Sequence, residues 1–401
     1  MKILLIIHEK FDPDSGSAGS TFKIGEEYRK LGHDVQYYSF DDLPQKLPRL
    51  AKRVTFPAFV AAQIQSIVRR QQIDVVDAST GDAWVWAKLF RQSRHRPPLL
   101  VTRSHGLEHM KHLADLEEAR KGSLKLSWVY PLYRGSAKLW EVSASLRCAD
   151  LVYLLNHQEE KYVIEQLGVS SERTHVFPNG IPDYLLNLPF EPIPDAEAAT
   201  IRIAQVSTYI PRKGILYSIP ALNRILARYP QVEISFFGTQ CRACPDPAQV
   251  YADFDPAVRD RVKVIPRYQH ETLPNLLSGH HIKLLPSISE GFGKALVEAM
   301  ACGLAPITTA TPGPLEVVSR GHDGIIIPTR DTEAIEQALE HLITHRSYLE
   351  QLRRNAYLTA QRYSWRQIAE NRLKTYETAL ALDTQESHPS KTSFNGHNGG
   401  E

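Results

Sequence analysis

One stretch of the sequence combines two glutamates with a glycine-rich turn. It reads SEGFGKALVEAMACG over residues 289–303, with Glu290 just before the turn GFG and Glu298 in the segment after it. A helix that begins after this turn would offer free backbone N–H groups to a diphosphate. Glu290 could then face the group attached to the diphosphate, and Glu298 could accept hydrogen bonds from the vicinal hydroxyls of a ribose. The alternative is a surface acid followed by an acid that the helix dipole stabilises.

A second candidate phosphate site follows the first predicted strand. The segment FDPDSGSAGSTF places Gly16 and Gly19 where the backbone can approach a ligand closely, and a predicted helix follows with free N–H groups. The segment fits neither the dinucleotide fingerprint G-x-G-x-x-G nor the P-loop. A simple tight turn is the alternative.

Short apolar runs alternate with segments of helical period along the whole chain. This alternation is typical of α/β proteins with parallel sheets, in which ligands bind beyond the carboxyl ends of the strands. The predicted strands span residues 2–8, 34–40, 74–79, 98–104, 150–156 and 174–178 in the first half, and 201–207, 232–238, 262–265, 281–286, 305–309 and 324–328 in the second.

The pattern is interrupted once, by the Pro-containing acidic stretch FEPIPDAEAA, which has the composition of a linker. We therefore predict two doubly wound domains of Rossmann-like type that face each other across a cleft. The predicted parts are a first domain at residues 1–190, a linker at 191–199, a second domain at 200–365, a C-terminal helix at 366–382 and a disordered tail at 383–401.

The composition excludes several classes of protein. The 401 residues carry 47 Lys and Arg against 45 Asp and Glu, a net charge of +2 that gives no reason to expect nucleic acid as a partner. Four cysteines are too few for a disulfide framework and favour a reducing compartment. The N-terminal apolar run is too short for a signal peptide, and no run is long enough to span a bilayer. We expect a cytoplasmic protein.

With these residues in view, SEGFGKALVEAMACG resembles the E-x7-E signature of the retaining glycosyltransferases of family 4, which have the GT-B fold. Other segments resemble that family in the same order along the chain, from about residue 2 to residue 382. They are GSAGS, LGHDV, PNGI, STYIPRKGI, ATPGPLE and HDGIIIP. The resemblance implies that the first domain binds an acceptor, the second binds a nucleotide-sugar donor, and the C-terminal helix crosses back to the first domain.

The resemblance also implies roles for single residues. Lys213 would contact the donor diphosphate, and Arg212 would supply the second cation, since Thr208 stands where the family has an arginine. His105 matches a histidine beside the donor sugar, with a positioning role rather than that of a conventional base. The catalytic candidates are therefore His105, Glu290 and Lys213, and the donor-binding candidates are Gly16, Ser17, Arg212, Lys213, Gly238, Glu290, Gly291, Phe292, Gly293 and Glu298.

Four short motifs offer a metal site as an alternative. HGLEH at residues 105–109 spells the inverted zinc-protease motif H-x-x-E-H, which requires both histidines on one helix, whereas Gly106 directly after a predicted strand indicates a turn. CRAC at residues 241–244 is a lone C-x-x-C, and DPD and DFD are short carboxylate pairs. We expect no metal and no other cofactor.

Two segments of the first domain are basic and contain no acidic residue. Residues 43–73 carry six cations interleaved with Phe56, Phe59 and Val60, and residues 119–140 carry five cations together with tryptophans and tyrosines. Such composition suits peripheral contact with an anionic membrane. The alternative is an aromatic stripe that faces the core, with a solvated basic face.

Three functions fit the sequence. The first is a retaining transferase that moves a hexose from a UDP- or GDP-sugar to a glycan or lipid-linked acceptor, in the synthesis of a cell-surface polysaccharide or glycolipid. The second is a nucleotide-sugar epimerase or hydrolase on the same fold. The third is a catalytically silent partner that binds a nucleotide sugar.

Overall fold

A computed structural model of the protein describes residues 1–12, 16–91, 97–122, 124–193 and 200–386. Most of the predicted linker and nearly all of the predicted tail lie outside these residues. Within them the chain forms two open sheets of six parallel strands each, covered by helices on both faces.

The four inner strands of the first sheet are buried nearly throughout, as expected for a parallel sheet covered on both sides. Its order is β2-β1-β3-β4-β5-β6, so the order reverses between β1 and β3. The strands are β1 (Lys2–Ile6), β2 (Asp34–Tyr38), β3 (Val75–Ser79), β4 (Leu99–Arg103), β5 (Leu151–Leu154) and β6 (Thr174–Val176).

The second sheet has the order β12-β11-β10-β7-β8-β9, so the order reverses between β7 and β10. At such a reversal, the connections leave towards opposite sides and open a crevice for a ligand. The strands are β7 (Ile201–Val206), β8 (Val232–Phe237), β9 (Val262–Ile265), β10 (Ile282–Leu285), β11 (Ala305–Thr309) and β12 (Ile325–Ile327). The predicted strands are thus confirmed in both sheets, with ends that differ by one or two residues.

The helices of the first domain begin and end at recognisable signals. Asn156 caps α6 by accepting a hydrogen bond from the backbone of Glu159, and Gly168 ends it at a φ of 66°. The helices are α1 (Ser17–Lys30), α2 (Arg49–Arg70), α3 (Trp84–Leu89), α4 (Glu108–Arg120), α5 (Lys138–Cys148) and α6 (His157–Leu167). Because α1 begins at Ser17, Gly19 lies inside a helix, and its expected place in the preceding turn is wrong.

The helices of the second domain follow the same α/β alternation up to α11, after which three helices end the described chain. They are α7 (Ile215–Arg228), α8 (Ala248–Ala252), α9 (Leu273–Leu277), α10 (Lys294–Ala301), α11 (Pro312–Val317), α12 (Thr332–Thr344), α13 (Arg346–Ala360) and α14 (Trp365–Glu386). None of the helices among the described residues is long and apolar enough to cross a membrane.

Two apolar clusters tie the domains together. One packs Leu155 and Ile181 of the first domain against Phe292 and Leu296 of the second. In the other, α14 returns to the first domain and packs against the face of the first sheet that α1 covers. Both clusters hold the carboxyl ends of the two sheets on opposite sides of one cleft.

Candidate active site

The cleft between the domains contains a cavity of about 380 Å³. Its walls come from the turn before α1, the turn after β4, the turn after β7 and the glycine-rich turn after β10. The structure brings together eight of the eleven residues predicted for the site: Gly16, Ser17, His105, Arg212, Glu290, Gly291, Phe292 and Gly293 line this cavity, whereas Lys213, Gly238 and Glu298 are not part of its lining.

Lys213 forms an ion pair with Glu290 at the wall of this cavity. Its Nζ lies 2.6 Å from Oε2 of Glu290, which also accepts a hydrogen bond from the Ser287 hydroxyl at 3.3 Å. Burial alone would raise the pKa of Glu290, but the adjacent Lys213 ammonium holds it below its ordinary value. The carboxylate is therefore ionised, and its charge is balanced by a cation that the strand β7 positions.

The turn that carries Lys213 fits tightly against the next strand of the sheet. Gly214 has a φ of 78°, and a Cβ at this position would lie 1.9 Å from the carbonyl oxygen of Pro286. Only glycine permits this approach. The glycine therefore fixes Lys213 opposite the glycine-rich turn.

The glycine-rich turn is braced from two sides. Arg212 donates a hydrogen bond from Nη1 to the carbonyl oxygen of Ser289 at 3.2 Å. On the other side, Gly313 donates its backbone N–H to the carbonyl oxygen of Glu290, and a Cβ on Gly313 would clash with the backbone of Phe292 at 2.3 Å. Gly293 then begins α10 with a φ of 83°, so the free N–H groups of the first turn of that helix adjoin the cleft.

Glu298 is buried on α10 and already has a partner. Its Oε1 lies 3.0 Å from Nε2 of His270, and Nδ1 of His270 lies 2.5 Å from the Tyr184 hydroxyl. Burial would raise the pKa of Glu298, but the hydrogen bond from His270 lowers it below its ordinary value. For a neutral His270, the tautomer that donates from Nε2 to Glu298 and accepts at Nδ1 from Tyr184 satisfies both contacts. Glu298 is thus an oriented, ionised acceptor.

Gly238 follows β8 with a φ of 75°, and a Cβ at this position would approach the ring of Tyr268 at 3.2 Å. Burial and the carboxylate of Glu298 raise the pKa of Tyr268, so these two side chains are neighbours. The sequence prediction missed both Tyr268 and His270. The signal for them was weak, because Tyr268 lies in a loop after β9 and His270 begins a 3-10 helix of only three residues.

His105 lies in the turn after β4, and its Nε2 accepts a hydrogen bond from Nε of Arg103 at 3.3 Å. Arg103 is buried and pairs with Asp77, which in turn accepts a hydrogen bond from the Tyr376 hydroxyl of α14 at 2.7 Å. Burial, and next the charge of Arg103, lower the pKa of His105 well below its ordinary value. The imidazole is therefore neutral at physiological pH, and it faces the cleft from a rigid buried network.

The two domains meet directly at the cleft. The Asn156 side chain donates a hydrogen bond to the carbonyl oxygen of Gly291 at 2.8 Å, and a Cβ on Gly291 would approach Gly106 at 3.1 Å. Glu118 and Arg330 form an ion pair between the domains. The backbone of the His105 turn therefore lies against the glycine-rich turn.

Several residues of the metal motifs have other partners. His109 lies in α4 and contacts Ser143 and the ring of Tyr162, whereas His105 lies in the turn and contacts Arg103. In the DFD motif, Asp253 accepts a hydrogen bond from a tyrosine, and Asp255 caps a short helical turn. Asp14 of the DPD motif lies outside the described residues. Among the described residues, no three His, Cys, Asp or Glu side chains are grouped so as to hold a metal ion.

The two basic segments of the first domain lie side by side. Leu50 and Arg53 of α2 line the same groove as residues 124–134, which follow α4. Phe56 and Val60 are fully buried in the core, as the alternative of a core-facing stripe predicts for them. The apolar surface that does reach solvent here consists of other side chains: Leu50, Val54, Leu124, Trp128, Val129 and Leu132.

Two protein families match the chain, one over each domain. The family described as glycosyl transferases group 1 matches residues 195–359, and glycosyltransferase family 4 matches residues 15–183. Among curated relatives, the chain is 27% identical over 234 residues to the gpi3 subunit of a phosphatidylinositol N-acetylglucosaminyltransferase from Schizosaccharomyces pombe. That alignment covers 57% of this chain and 48% of the relative, so the chain spans about half of the relative's length.

Solved structures of the same fold cover nearly the whole chain. A sucrose-phosphate synthase from Thermosynechococcus elongatus superposes with a TM-score of 0.74 at 21% identity, over 95% of this chain and 99% of that one. The Anabaena protein HepE in complex with UDP-glucose superposes with a TM-score of 0.67 at 18% identity, over 94% and 100% of the two chains. At sequence identities of 21% and 18%, these superpositions show a shared fold alone.

Proposed function

Because the chain belongs to the glycosyltransferases of family 4 with the GT-B fold, we propose that it transfers a hexose from a nucleotide diphosphate sugar to an acceptor hydroxyl. The donor is a UDP- or GDP-sugar, the configuration at the anomeric carbon is retained, and the acceptor is a glycan or a lipid-linked molecule. The products serve a cell-surface polysaccharide or a glycolipid. HepE was solved with UDP-glucose, which supports a nucleotide-sugar donor. The Schizosaccharomyces pombe relative is named for phosphatidylinositol, which supports a lipid-linked acceptor.

The observation that carries the proposal is the position of Lys213 and Glu290 beside the N-terminus of α10, on the wall of the cleft. A leaving nucleoside diphosphate gathers negative charge, which a fixed cation and a helix N-terminus stabilise without reorganisation. In this proposal, Lys213, Arg212 and the N–H groups that follow Gly293 hold the diphosphate. Glu298 and Gly238 face the nucleoside, and Gly16 and Ser17 close the cleft from the first domain.

The transfer step needs no covalent intermediate. The acceptor oxygen forms the new bond to the anomeric carbon on the face from which the diphosphate departs. The electron pair of the broken carbon–oxygen bond stays on the diphosphate, which also receives the proton of the acceptor hydroxyl. Neutral His105 and the carboxylate of Glu290 orient the sugar during this step. Because Lys213, Arg212 and the helix N-terminus already supply positive charge, the proposal includes no metal ion.

A panel of sugar nucleotides tests which donor the chain binds, because a ligand that binds the folded state raises the melting temperature. We expect one UDP- or GDP-sugar to stabilise the chain well above the others. Glu290→Ala should then lose transfer while the protein stays folded, and Glu298→Ala should weaken donor affinity. Glu333→Ala, which removes an exposed acid at the start of α12, is the matched control.

Three outcomes would contradict the proposal. Donor turnover that yields only free sugar with every acceptor tried indicates a hydrolase, and conversion of the donor to its epimer indicates an epimerase. Binding without any turnover, with unchanged cellular glycans in a Glu290→Ala strain, indicates a silent partner.

A further inference from the structure

A second cavity of about 290 Å³ lies in the first domain and adjoins the donor cleft. The two cavities share Ser17, His105 and Gly106 in their walls, so a hydroxyl in this cavity would lie beside a sugar in the cleft. Its floor contains Asp82, whose Oδ1 is 2.8 Å from Nδ1 of His8. Oδ2 of Asp82 is buried and has no hydrogen-bond partner among the described residues.

An unpartnered buried carboxylate oxygen is costly unless a ligand donates a hydrogen bond to it. Glu108, whose carboxylate accepts a hydrogen bond from the Thr80 hydroxyl at 3.0 Å, lines the same cavity. Carboxylates of this kind accept hydrogen bonds from hydroxyl groups. The cavity therefore suits a polyhydroxylated group.

Three cations lie where this polar cavity opens into a larger groove. Arg53, Lys111 and Arg134 line both, and Asp115 is the acid that lines both. Burial, and next the charge of Arg212, lower the pKa of Lys111; Arg134 adds to this effect, whereas Asp115 and Glu108 act in the opposite direction. An anion bound between the three cations would relieve their repulsion. A phosphate group meets this requirement, since arginine and lysine both bind it through charge-assisted hydrogen bonds.

The groove beyond the cations is apolar and has a volume of about 780 Å³. Leu50, Val129 and Leu132 line it and are exposed by 66%, 44% and 67%. Trp128, beside the groove, is 84% exposed. Such a concentration of exposed apolar side chains on one face marks a surface that is covered by a ligand or a partner. Its continuity with a cationic site favours a hydrocarbon chain that carries a phosphate.

We propose that the acceptor is a lipid phosphate whose headgroup hydroxyls occupy the polar cavity, whose phosphate lies between Arg53, Lys111 and Arg134, and whose hydrocarbon chain lies in the apolar groove. This inference rests on the proposed transferase function and specifies its acceptor. It assigns Leu50 and Arg53 of α2 and residues 124–134 a common role as the two walls of one lipid site.

Dodecyl phosphate tests the lipid part of the site, with inorganic phosphate and the neutral dodecyl glucoside as comparison ligands. We expect only dodecyl phosphate to raise the melting temperature of the full chain markedly. The double variant Arg53→Ala with Arg134→Ala should raise its Kd on the order of tenfold or more, because two charged hydrogen-bond donors are lost. Leu132→Asp should raise the Kd similarly by placing a charge in the groove.

Matched controls exist outside the groove. Leu89→Asp changes a leucine that is as exposed as Leu132, and Arg70→Ala removes a cation at the other end of α2. Both variants should bind dodecyl phosphate as the unmodified chain does. Equal stabilisation by dodecyl glucoside, or equal losses in the control variants, would overturn the lipid phosphate site.

A second measurement separates this inference from the proposed function. Every variant should keep its stabilisation by the sugar nucleotide, because the donor cavity is unchanged. In a reaction with labelled sugar nucleotide and a total lipid extract, we expect label to pass into the organic phase, less so with Leu132→Asp. Donor binding with label transferred only to water-soluble glycans would overturn the lipid acceptor alone. Absence of sugar-nucleotide binding would overturn the proposed function.

Discussion

The ammonium nitrogen of Lys213 lies 2.6 Å from a carboxylate oxygen of Glu290, although 77 residues separate the two along the chain. They meet because β7 and β10 are neighbours in the second sheet, at the point where the strand order reverses. Both side chains are largely buried, at 16% and 15% exposure. The pair therefore places a fixed cation and an oriented acceptor at the mouth of the donor cleft.

Lys213→Met should lower kcat/KM by about a hundredfold, since it removes one preorganised positive group from the leaving diphosphate. It should also raise the pKa of Glu290, because the cation that holds this pKa low is lost. The acid limb of the pH–rate profile should accordingly move to higher pH. Steady-state kinetics across pH measure both effects.

Lys263→Met is the control, because Lys263 is exposed on β9 and faces no acid of the site. Its pH–rate profile should match that of the unmodified chain. An unchanged acid limb in Lys213→Met would contradict the assigned coupling between Lys213 and Glu290.

His270→Ala should weaken donor binding on the order of tenfold, without a comparable loss of kcat. The substitution removes the hydrogen bond that orients Glu298 and lowers its pKa. Donor affinity, measured by calorimetry, should fall most steeply as the pH decreases, because Glu298 then becomes protonated more easily. His322→Ala, at an exposed site away from the cleft, should leave the affinity unchanged. A loss of kcat alone, with affinity intact, would be inconsistent with a role through Glu298.

The alternation of strands and helices was sufficient to predict both sheets, because parallel strands that are buried on both faces leave a clear apolar signal. The same signal placed Glu290 and Lys213 after strands, where a ligand site is expected. The interruption of the pattern at the linker predicted two domains across a cleft, and the family resemblance added the return of the C-terminal helix to the first domain.

What the sequence did not reveal depends on contacts between distant residues. His270 is 28 residues from Glu298 in the chain, and the three-residue 3-10 helix that it begins is too short to give a periodic pattern. The composition around α2 left both a membrane-facing and a core-facing place open for Phe56 and Val60; both face the core, whereas Leu50 and Val54 reach solvent. The segment is apolar around much of the helix, so composition alone could not show which side faces the core.

Tyr376→Phe should reduce the free energy of unfolding by about 1–3 kcal/mol, because Oδ2 of Asp77 would lose a buried donor. The hydroxyl joins α14 to the network that supports His105, so kcat should fall more than the donor KM rises. Denaturant unfolding and kinetics measure the two effects. Tyr348→Phe, whose hydroxyl makes a long bond of 3.4 Å at the surface, should change stability far less. An equal loss of unfolding free energy in Tyr376→Phe and Tyr348→Phe would contradict a stabilising role for the buried hydroxyl of Tyr376.

Lys283 offers a test that depends on pH. It lies on β10, fully buried, with Nζ 3.4 Å from the carbonyl oxygen of Val206. Burial, and next the charge of Lys213, lower its pKa from 10.5 to about 7. Between these two values the unfolded chain binds more protons than the folded one, so this group makes stability rise with pH across that window. At pH values below this window, Lys283 is charged inside the folded protein, and the full desolvation free energy of that charge lowers the stability of the fold.

Lys283→Met should therefore stabilise the fold most at pH values below about 7, by a few kcal/mol, since methionine has a similar length and carries no charge. The advantage should shrink steadily as the pH rises from about 7 towards 10.5, because the unmodified chain then recovers stability and the variant does not. Denaturant unfolding of both proteins at several pH values gives this difference directly. A difference that stays constant with pH would mean that Lys283 keeps its proton in the folded state, stabilised by Glu290 and Glu298 across the donor site.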